Sequence, residues 1–481
     1  MEFFLSLIAL LIAFVGGAGT VLLLAPSRWR ESPCGFAGAA LVLGAGLISL
    51  LSFCLGFMIQ GVLLRWIITA VCMALFALGR VRYMKQACKA ERLRASAVQV
   101  LLGILVLAQL WFVTWLSLYK SWLGWDGLVV WEAKATIAFQ YNGVLPLQYF
   151  TGGYEVAHVT YPLFLPLLQL WIYEWLGHID QSMIKLIGPY LYLAAVLLLI
   201  GSAKRIANNL SNAIIAVLLF GLVPAYMLGE GSVSSGYADF PLAVVWLCAL
   251  AHSLEYFKTG TLSAARLTGA SAMLLPFVKN DGVIALLCIT VTIMPRVIHE
   301  RNWKAAAWMM IPGFGVLFGW HMLIKFSHLN EGDLVPVTVA NLLAHLNRTG
   351  TLFRFTTQEL LTWDHWGILW PAAIVAGALL MTRARTVPWY PLVVNGLLPL
   401  LLYPCVFFFS AWVQFQAHVG VTLPRLFIHN APAAILLVSV ACGTLLGLDR
   451  NEFVANKGGR DAGTKTAKSS MLAHQGLRHS R

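Results

Sequence analysis

A chain of 481 residues that is 59% hydrophobic and only 11% charged, with mean hydropathy +0.77, is too apolar for a soluble fold, whose surface takes about a quarter charged residues. Its net charge of +13 is divided among short clusters between apolar runs, the pattern of a multi-pass membrane protein rather than of a nucleic-acid-binding surface. The eight cysteines form no C-x-x-C pair, so neither a disulfide framework nor a zinc site follows.

The first apolar run, 2 to 25, has no basic region ahead of it and is long for a cleaved signal, so it reads as a retained span. Further spans are expected at 35 to 59, 61 to 79 and 97 to 119. Arg28 and Arg30 follow the first span and RVRYMKQACKAERLR follows the third. Those loops are therefore expected in the cytoplasm, with the N-terminus and the region from 120 outside.

The longest polar break is Ser121 to Pro166, which places Asp126, Glu132, Lys134, Glu155 and His158 among ten aromatic residues. Within it, Leu128, Trp131, Ala135, Ala138 and Phe139 share one helical face while Glu132, Thr136 and Gln140 share another, which predicts an interfacial helix. The run Tyr161 to Gly177 is long enough to cross, but a crossing would place Lys204 and Arg205 on the wrong side, so it is expected in the interface as well. Thr160 as N-cap and Pro162 in the first turn would start it.

Spans are then expected at 184 to 202, 210 to 229, 239 to 257, 264 to 278, 282 to 295, 305 to 325, 366 to 381, 388 to 409 and 426 to 447, about thirteen in all. Lys204, Arg205, Lys258, Arg266, Arg296, Arg301, Lys304, Arg383 and Arg385 mark their cytoplasmic ends. The outer loop 326 to 365 holds an amphipathic run near Val339 to Leu346, and the polar tail from Asp449 is expected to be disordered.

Several polar residues fall at the outer ends of these spans. Two spans of about 15 residues reach only about 22 Å against a hydrocarbon core of about 30 Å, so their turn, Lys279-Asn280-Asp281-Gly282, should be sunken. Lys279 there either pairs with Asp281 or meets a lipid-linked phosphate. Asp239 and Asp126 each stand where an acid can satisfy a helix N-terminus or serve a site. Glu132, Lys134 and His158 are either solvated or touch substrate. Arg425, ahead of His429 in the last span, either snorkels to headgroups or contacts a lipid phosphate.

The order Gly124-Trp125-Asp126, His158-Val159-Thr160-Tyr161-Pro162-Leu163, Gly236-Tyr237-Ala238-Asp239-Phe240-Pro241, Lys279-Asn280-Asp281-Gly282 and Arg425 before a Pro432-bearing span resembles the GT-C glycosyltransferases that use polyprenyl-phosphate sugars. Within them it is similar to the protein O-mannosyltransferase and aminoarabinose-transferase type. The resemblance covers 96 to 290 and, in layout only, the C-terminal third. It implies Asp126 as catalytic base, Tyr161, Pro162 and Leu163 as loop-shaping residues, Asp239 as the acid after the next outer loop and Lys279 at the donor phosphate. Here the first acid is followed by Gly127 rather than a second acid, and the paired prolines are reduced to Pro162.

The expectation is thus an all-α polytopic enzyme with interfacial helices in its first large outer loop. It would be divided into N-terminal helices (1 to 95), a catalytic membrane module (96 to 295), C-terminal helices (296 to 448) and a basic tail (449 to 481). It would move a sugar from a polyprenyl-phosphate carrier to an acceptor hydroxyl on a glycan, lipid or protein, with inversion, at the outer face of a bacterial inner membrane. Glu132, Lys134, His158, Tyr161, Asp239, Lys279, Asp281 and Arg425 would bind substrate. No cofactor and no nucleic acid are expected. Two other classes remain open: a transporter or flippase of lipid-linked glycans, whose internal repeats are not visible here, and a non-catalytic membrane assembly subunit.

Overall fold

A computed structural model describes residues 1–27, 32–84, 96–120, 123–143, 145, 147–150, 158–207, 210–329, 332–383 and 388–446. Glu155, the RVRYMKQACKAERLR cluster beyond Met84, and the tail lie outside them. The described residues are helical, apart from turns and one isolated bridge between Leu334 and Ser410. Ten helices are long and apolar enough to cross a membrane. The protein is an all-α, multi-pass membrane protein.

The first four helices are α1 (Glu2–Leu24), α2 (Pro33–Gly56), α3 (Gly61–Met84) and α4 (Ala97–Tyr119). α1 and α2 approach backbone to backbone: a Cβ on Gly17 would stand 1.9 Å from the Ala40 carbonyl oxygen, and one on Gly44 2.0 Å from that of Ala13. In lipid, where apolar side chains gain little by association, such small-residue contacts hold helices together. A π-helical turn, Gly127–Glu132, then runs into α5 (Ala133–Gln140), and α6 spans Phe164–Leu176.

α6 does not cross the bundle. The Ser49 hydroxyl, near the end of α2, donates to the Phe164 carbonyl at its first turn (2.8 Å). Just past its last turn, His178 meets Glu2 at the start of α1 (3.2 Å). The end of α2 and the start of α1 lie at the same end of the bundle, so α6 dips in and returns. Trp171 marks the depth by donating to the Ala9 carbonyl, two turns into α1. The expected start is corrected, however: the N-cap is Leu163, with no side-chain cap, and Thr160 and Pro162 lie in the turn before it. Pro162 fixes that turn rather than the first helical turn.

The remaining helices of eight or more residues are α7 (Ile187–Ala207), α8 (Leu210–Leu222), α9 (Asp239–Thr259), α10 (Leu262–Ala272), α11 (Gly282–Glu300), α12 (Trp303–Phe326), α13 (Thr349–Leu360), α14 (Leu369–Arg383), α15 (Trp389–Leu397), α16 (Pro399–Val406) and α17 (Phe415–Leu445). α9 and α17 form the buried centre, with nearly every residue of both from Asp239 to Tyr256 and from Leu423 to Ala441 buried. A buried Asn395 ties three helices, accepting from the Trp246 indole (2.8 Å) and donating to the Thr292 hydroxyl (2.7 Å). Polar contacts of this kind fix helix register where lipid cannot.

Three apolar segments are shorter than a full crossing: Leu210–Leu222, Leu262–Val278 and Leu369–Thr382. The expected pair of equally short spans around Lys279 is also corrected. α11 has 19 residues, about 28 Å at 1.5 Å each. α10 ends at Ala272, and Pro276 sits in the separate turn Leu275–Val278 that comes next. The turn at Lys279 is sunken because protein covers it: Lys279 is 5% exposed.

At the opposite end of α9, Arg205 pairs with Glu255 at 2.5 Å, and Lys258 donates to the Arg205 carbonyl. The Arg205, Glu255 and Lys258 cluster thus lies at the end of α9 opposite the Asp239 loop. A single cysteine replacing exposed Ser182, between α6 and α7, is expected to react with a membrane-impermeant maleimide from outside intact cells. Reaction only after the cytoplasmic face is opened would reverse the orientation.

Candidate functional site

Four segments far apart in sequence bring their charged side chains to one point. Asp239, the first residue of α9, is fully buried, and its side chain does not cap the helix. Its Oδ1 accepts from Lys279 Nζ at 2.7 Å and contacts His429 Nε2 at 2.9 Å; its Oδ2 accepts from Arg425 Nε and Nη2 at 3.3 and 3.2 Å. A carboxylate closed off from solvent needs such partners, and here it has three.

Each cation then has a second acid on its other side. Lys279 pairs with Asp281 at 2.8 Å, and Arg425 Nη1 pairs with Asp126 at 2.8 Å. Unlike Asp239, these two are partly open: the Asp281 and Asp126 side chains are 24% and 27% exposed. Three carboxylates therefore hold two cations, with the innermost acid fixed and the outer two at the surface of the site.

Three residues not expected from the sequence complete the site. Tyr237 lies under the guanidinium of Arg425 (4.6 Å) and accepts from the Asp126 backbone N–H at 3.2 Å. Burial, partly offset by that hydrogen bond, pushes its phenol up to about 12, so it stays neutral. His429 lies one turn past Arg425, and Tyr403 bonds its Nδ1 at 2.9 Å. The spacings, two residues before Asp239 for Tyr237 and four after Arg425 for His429, were the available signal.

The Gly-Trp-Asp-Gly sequence has a steric cause. A Cβ on Gly124 would sit 2.6 Å from the Tyr237 ring, and one on Gly127 would sit 2.2 Å from the Ser235 carbonyl oxygen. Only glycine lets the Asp126 turn press this closely on the 235–237 loop. The π-turn beyond it leaves Asp126 without a side-chain capping bond, so its carboxylate is committed to Arg425. π-turns of this kind occur often at functional sites.

Glu132, Lys134, His158 and Tyr161 form a second group, and the expected solvated face is corrected. Glu132 is 4% exposed and accepts from Tyr173 (2.8 Å) and Thr136 (2.6 Å). Lys134 is fully buried, with no carboxylate partner among the described residues. Its Nζ faces the Trp131 and Tyr161 rings at 5.1 and 5.5 Å and donates to the His158 carbonyl at 3.0 Å. Burial holds the Lys134 amine well below its usual range. The tie is structural: His158 has φ of 47°, a left-handed conformation costly for a non-glycine residue, and Lys134 holds its carbonyl there. The His158 ring stacks on Tyr161 at 4.8 Å and reaches Asp333, in the 326–365 segment, at 3.5 Å. These four shape the loop, and no described contact joins them to the charge network.

Among the described residues, one group of three possible metal ligands, Glu2, His178 and Asp180, gathers at the start of α1 and shares no residue with the network. No family model matches the chain, and neither a curated protein nor a solved structure matches it.

Proposed function

We propose that the Asp126, Asp239, Lys279 and Arg425 network is the active site of a membrane glycosyltransferase that moves a sugar from a polyprenyl-phosphate carrier to an acceptor hydroxyl on the outer face. The observation that carries this reading is the pairing pattern of the two cations. Lys279 and Arg425 are both bound to one buried carboxylate, and each shows its remaining donors to an acid that is partly exposed. An arriving phosphate can exchange for Asp281 on Lys279 and for Asp126 on Arg425 without leaving either cation unpaired. Arg425 offers a planar fork and Lys279 a point charge, a combination suited to a phosphate monoester or diester.

Displacing Asp126 from Arg425 also creates the base. The freed carboxylate takes the proton from the acceptor hydroxyl as its oxygen bonds to the anomeric carbon, while the bond from that carbon to the phosphate oxygen breaks. The electron pair leaves on the polyprenyl phosphate, where Lys279 and Arg425 stabilise it. Direct displacement inverts the anomeric centre. This reading places the network at the outer face, counts the three shorter apolar segments with the ten long ones as thirteen crossings, and agrees with the GT-C resemblance of 96 to 290.

Donor-dependent stability tests the phosphate role. A short-chain polyprenyl-phosphate hexose at about 100 times its Kd is expected to stabilise the wild-type protein by about 2.7 kcal/mol. Lys279→Met starts from a lower midpoint, because Asp239 loses a partner, and is expected to gain little from the same donor. Equal gains by both proteins would remove Lys279 from the donor site.

A further inference from the structure

Against the 123–124 and 234–235 segments lies a cleft of about 630 Å³, and no residue of the charge network lines it. It is lined by Tyr119 and Lys120 at the end of α4, by Leu123 and Gly124, and by Gly229, Glu230, Ser234 and Ser235. We propose that this cleft binds the headgroup of an anionic, hydroxyl-bearing glycerophospholipid, independently of the glycosyl-transfer reading.

Three observations on separate residues point to that ligand. The first is an unused hydroxyl: Ser234 is 1% exposed, lines both this cleft and a smaller cavity against α7 and α9, and its Oγ has no hydrogen-bond partner among the described residues. Its neighbours are committed elsewhere, since the Ser235 hydroxyl donates to the Ser232 carbonyl and the Ser232 hydroxyl to that of Gly229. A buried hydroxyl is normally bonded, so a polar group belongs beside Ser234.

The second is an unpaired cation. Lys120 forms no ion pair among the described residues; its engaged groups are main-chain, the N–H donating to the Leu116 carbonyl and the carbonyl accepting from the Lys185 ammonium. Lys120 supplies the charge for a phosphate, while exposed Glu230 on the rim accepts from headgroup hydroxyls. A zwitterionic choline headgroup has no hydroxyl to offer Ser234 or Glu230 and adds a cation beside Lys120.

The third points to a ligand that arrives in lipid. Trp111, Trp115 and Tyr119 succeed one another at four-residue spacing on α4 and are 70%, 47% and 73% exposed. The Trp115 and Tyr119 rings stack at 5.0 Å and 18°. They form an aromatic track on a helix face open to the bilayer, and it ends at the cleft mouth, the depth at which headgroups lie. An acyl chain can run along this track while its phosphate meets Lys120.

Occupancy would also brace the loop that orients Asp126. The Gly124 N–H donates to the Ser235 carbonyl (2.9 Å), and the Asp126 N–H donates to Tyr237.

The test places a benzophenone amino acid at Tyr119 in the full-length protein, held in phosphatidylcholine nanodiscs containing a minor fraction of phosphatidylglycerol. Phosphatidylglycerol is expected to cross-link about fivefold above its mole fraction, the discrimination one lysine gives near a membrane surface. Lys120→Gln should return the ratio to the mole fraction, and Ser234→Ala should lower it. Asp126→Asn should leave it unchanged, which separates this site from the catalytic reading. Cross-linking in proportion to mole fraction, or enrichment that survives Lys120→Gln, would overturn the proposal. Loss of cross-linking to millimolar free glycerol phosphate would show a soluble anion site and overturn the lipid assignment.

Discussion

Asp239→Asn is expected to lower protein stability by about 3–5 kcal/mol, the usual cost of removing one member of a buried ion pair. The magnitude comes from position. Asp239 is fully buried and is the shared partner of Lys279, Arg425 and His429, whereas the acids left to the two cations are partly open to water. An asparagine keeps the shape and loses the charge, so the cost is electrostatic rather than steric. Because the effect arises from stranded cations, Asp239→Asn combined with Arg425→Gln should be more stable than the sum of the two single changes predicts. Thermal unfolding of the four purified proteins in one detergent measures this. Additive losses, or an Asp239→Asn midpoint equal to that of the wild type, would mean that Asp239 does not carry the network.

Asp126→Asn should behave in the opposite way, with a small change in stability and a large one in rate. The Asp126 side chain is 27% exposed, and Arg425 keeps Asp239 when Asp126 is neutralised. A lost general base lowers turnover by about 10² to 10⁴. Donor binding should be equal or tighter, since the phosphate no longer competes with a carboxylate for Arg425. That split, slower turnover without weaker donor binding, is the signature of a group acting in the transition state. It also separates Asp126 from Lys279, whose loss should weaken binding and rate together. Turnover within about twofold of the wild type would transfer the base role elsewhere or remove it.

The charged residues of the network were legible in the sequence because polar residues at span ends stand out against apolar runs. Asp126, Asp239, Lys279, Asp281 and Arg425 stand out in this way. Their pairing was not legible. Nothing local indicates that Arg425 reaches back to Asp126 and Asp239, or that Lys279 prefers Asp239 as well as its neighbour Asp281; such contacts come from how α9 and α17 pack. The sequence also offered capping as the bland use of both Asp126 and Asp239, and neither side chain caps its helix.

Glu132 and Lys134 show a different limit. A regular 3.6-residue period puts Glu132 on an outward face, but the Gly127–Glu132 segment forms a π-turn, whose i to i+5 bonds add a residue to the turn and rotate the residues beyond it. Helical periodicity misleads at the one turn where the helix is irregular. That α6 does not cross was legible, by contrast, because charge placement around Lys204 and Arg205 constrained it, while the expected interface position was not, since Phe164 to Glu174 are all buried, and its first turn was misplaced by the lure of Thr160 and Pro162.

Transfer of sugar from a polyprenyl phosphate by this network is tested most directly by lipid analysis. Lipids would be extracted from cells lacking the chain and from the same cells supplied with wild-type protein or with Asp126→Asn. A polyprenyl-phosphate sugar should accumulate without the chain, disappear with the wild type and persist with Asp126→Asn. Extracts in which no polyprenyl-linked sugar changes, or in which Asp126→Asn clears it as fully as the wild type, would contradict the account.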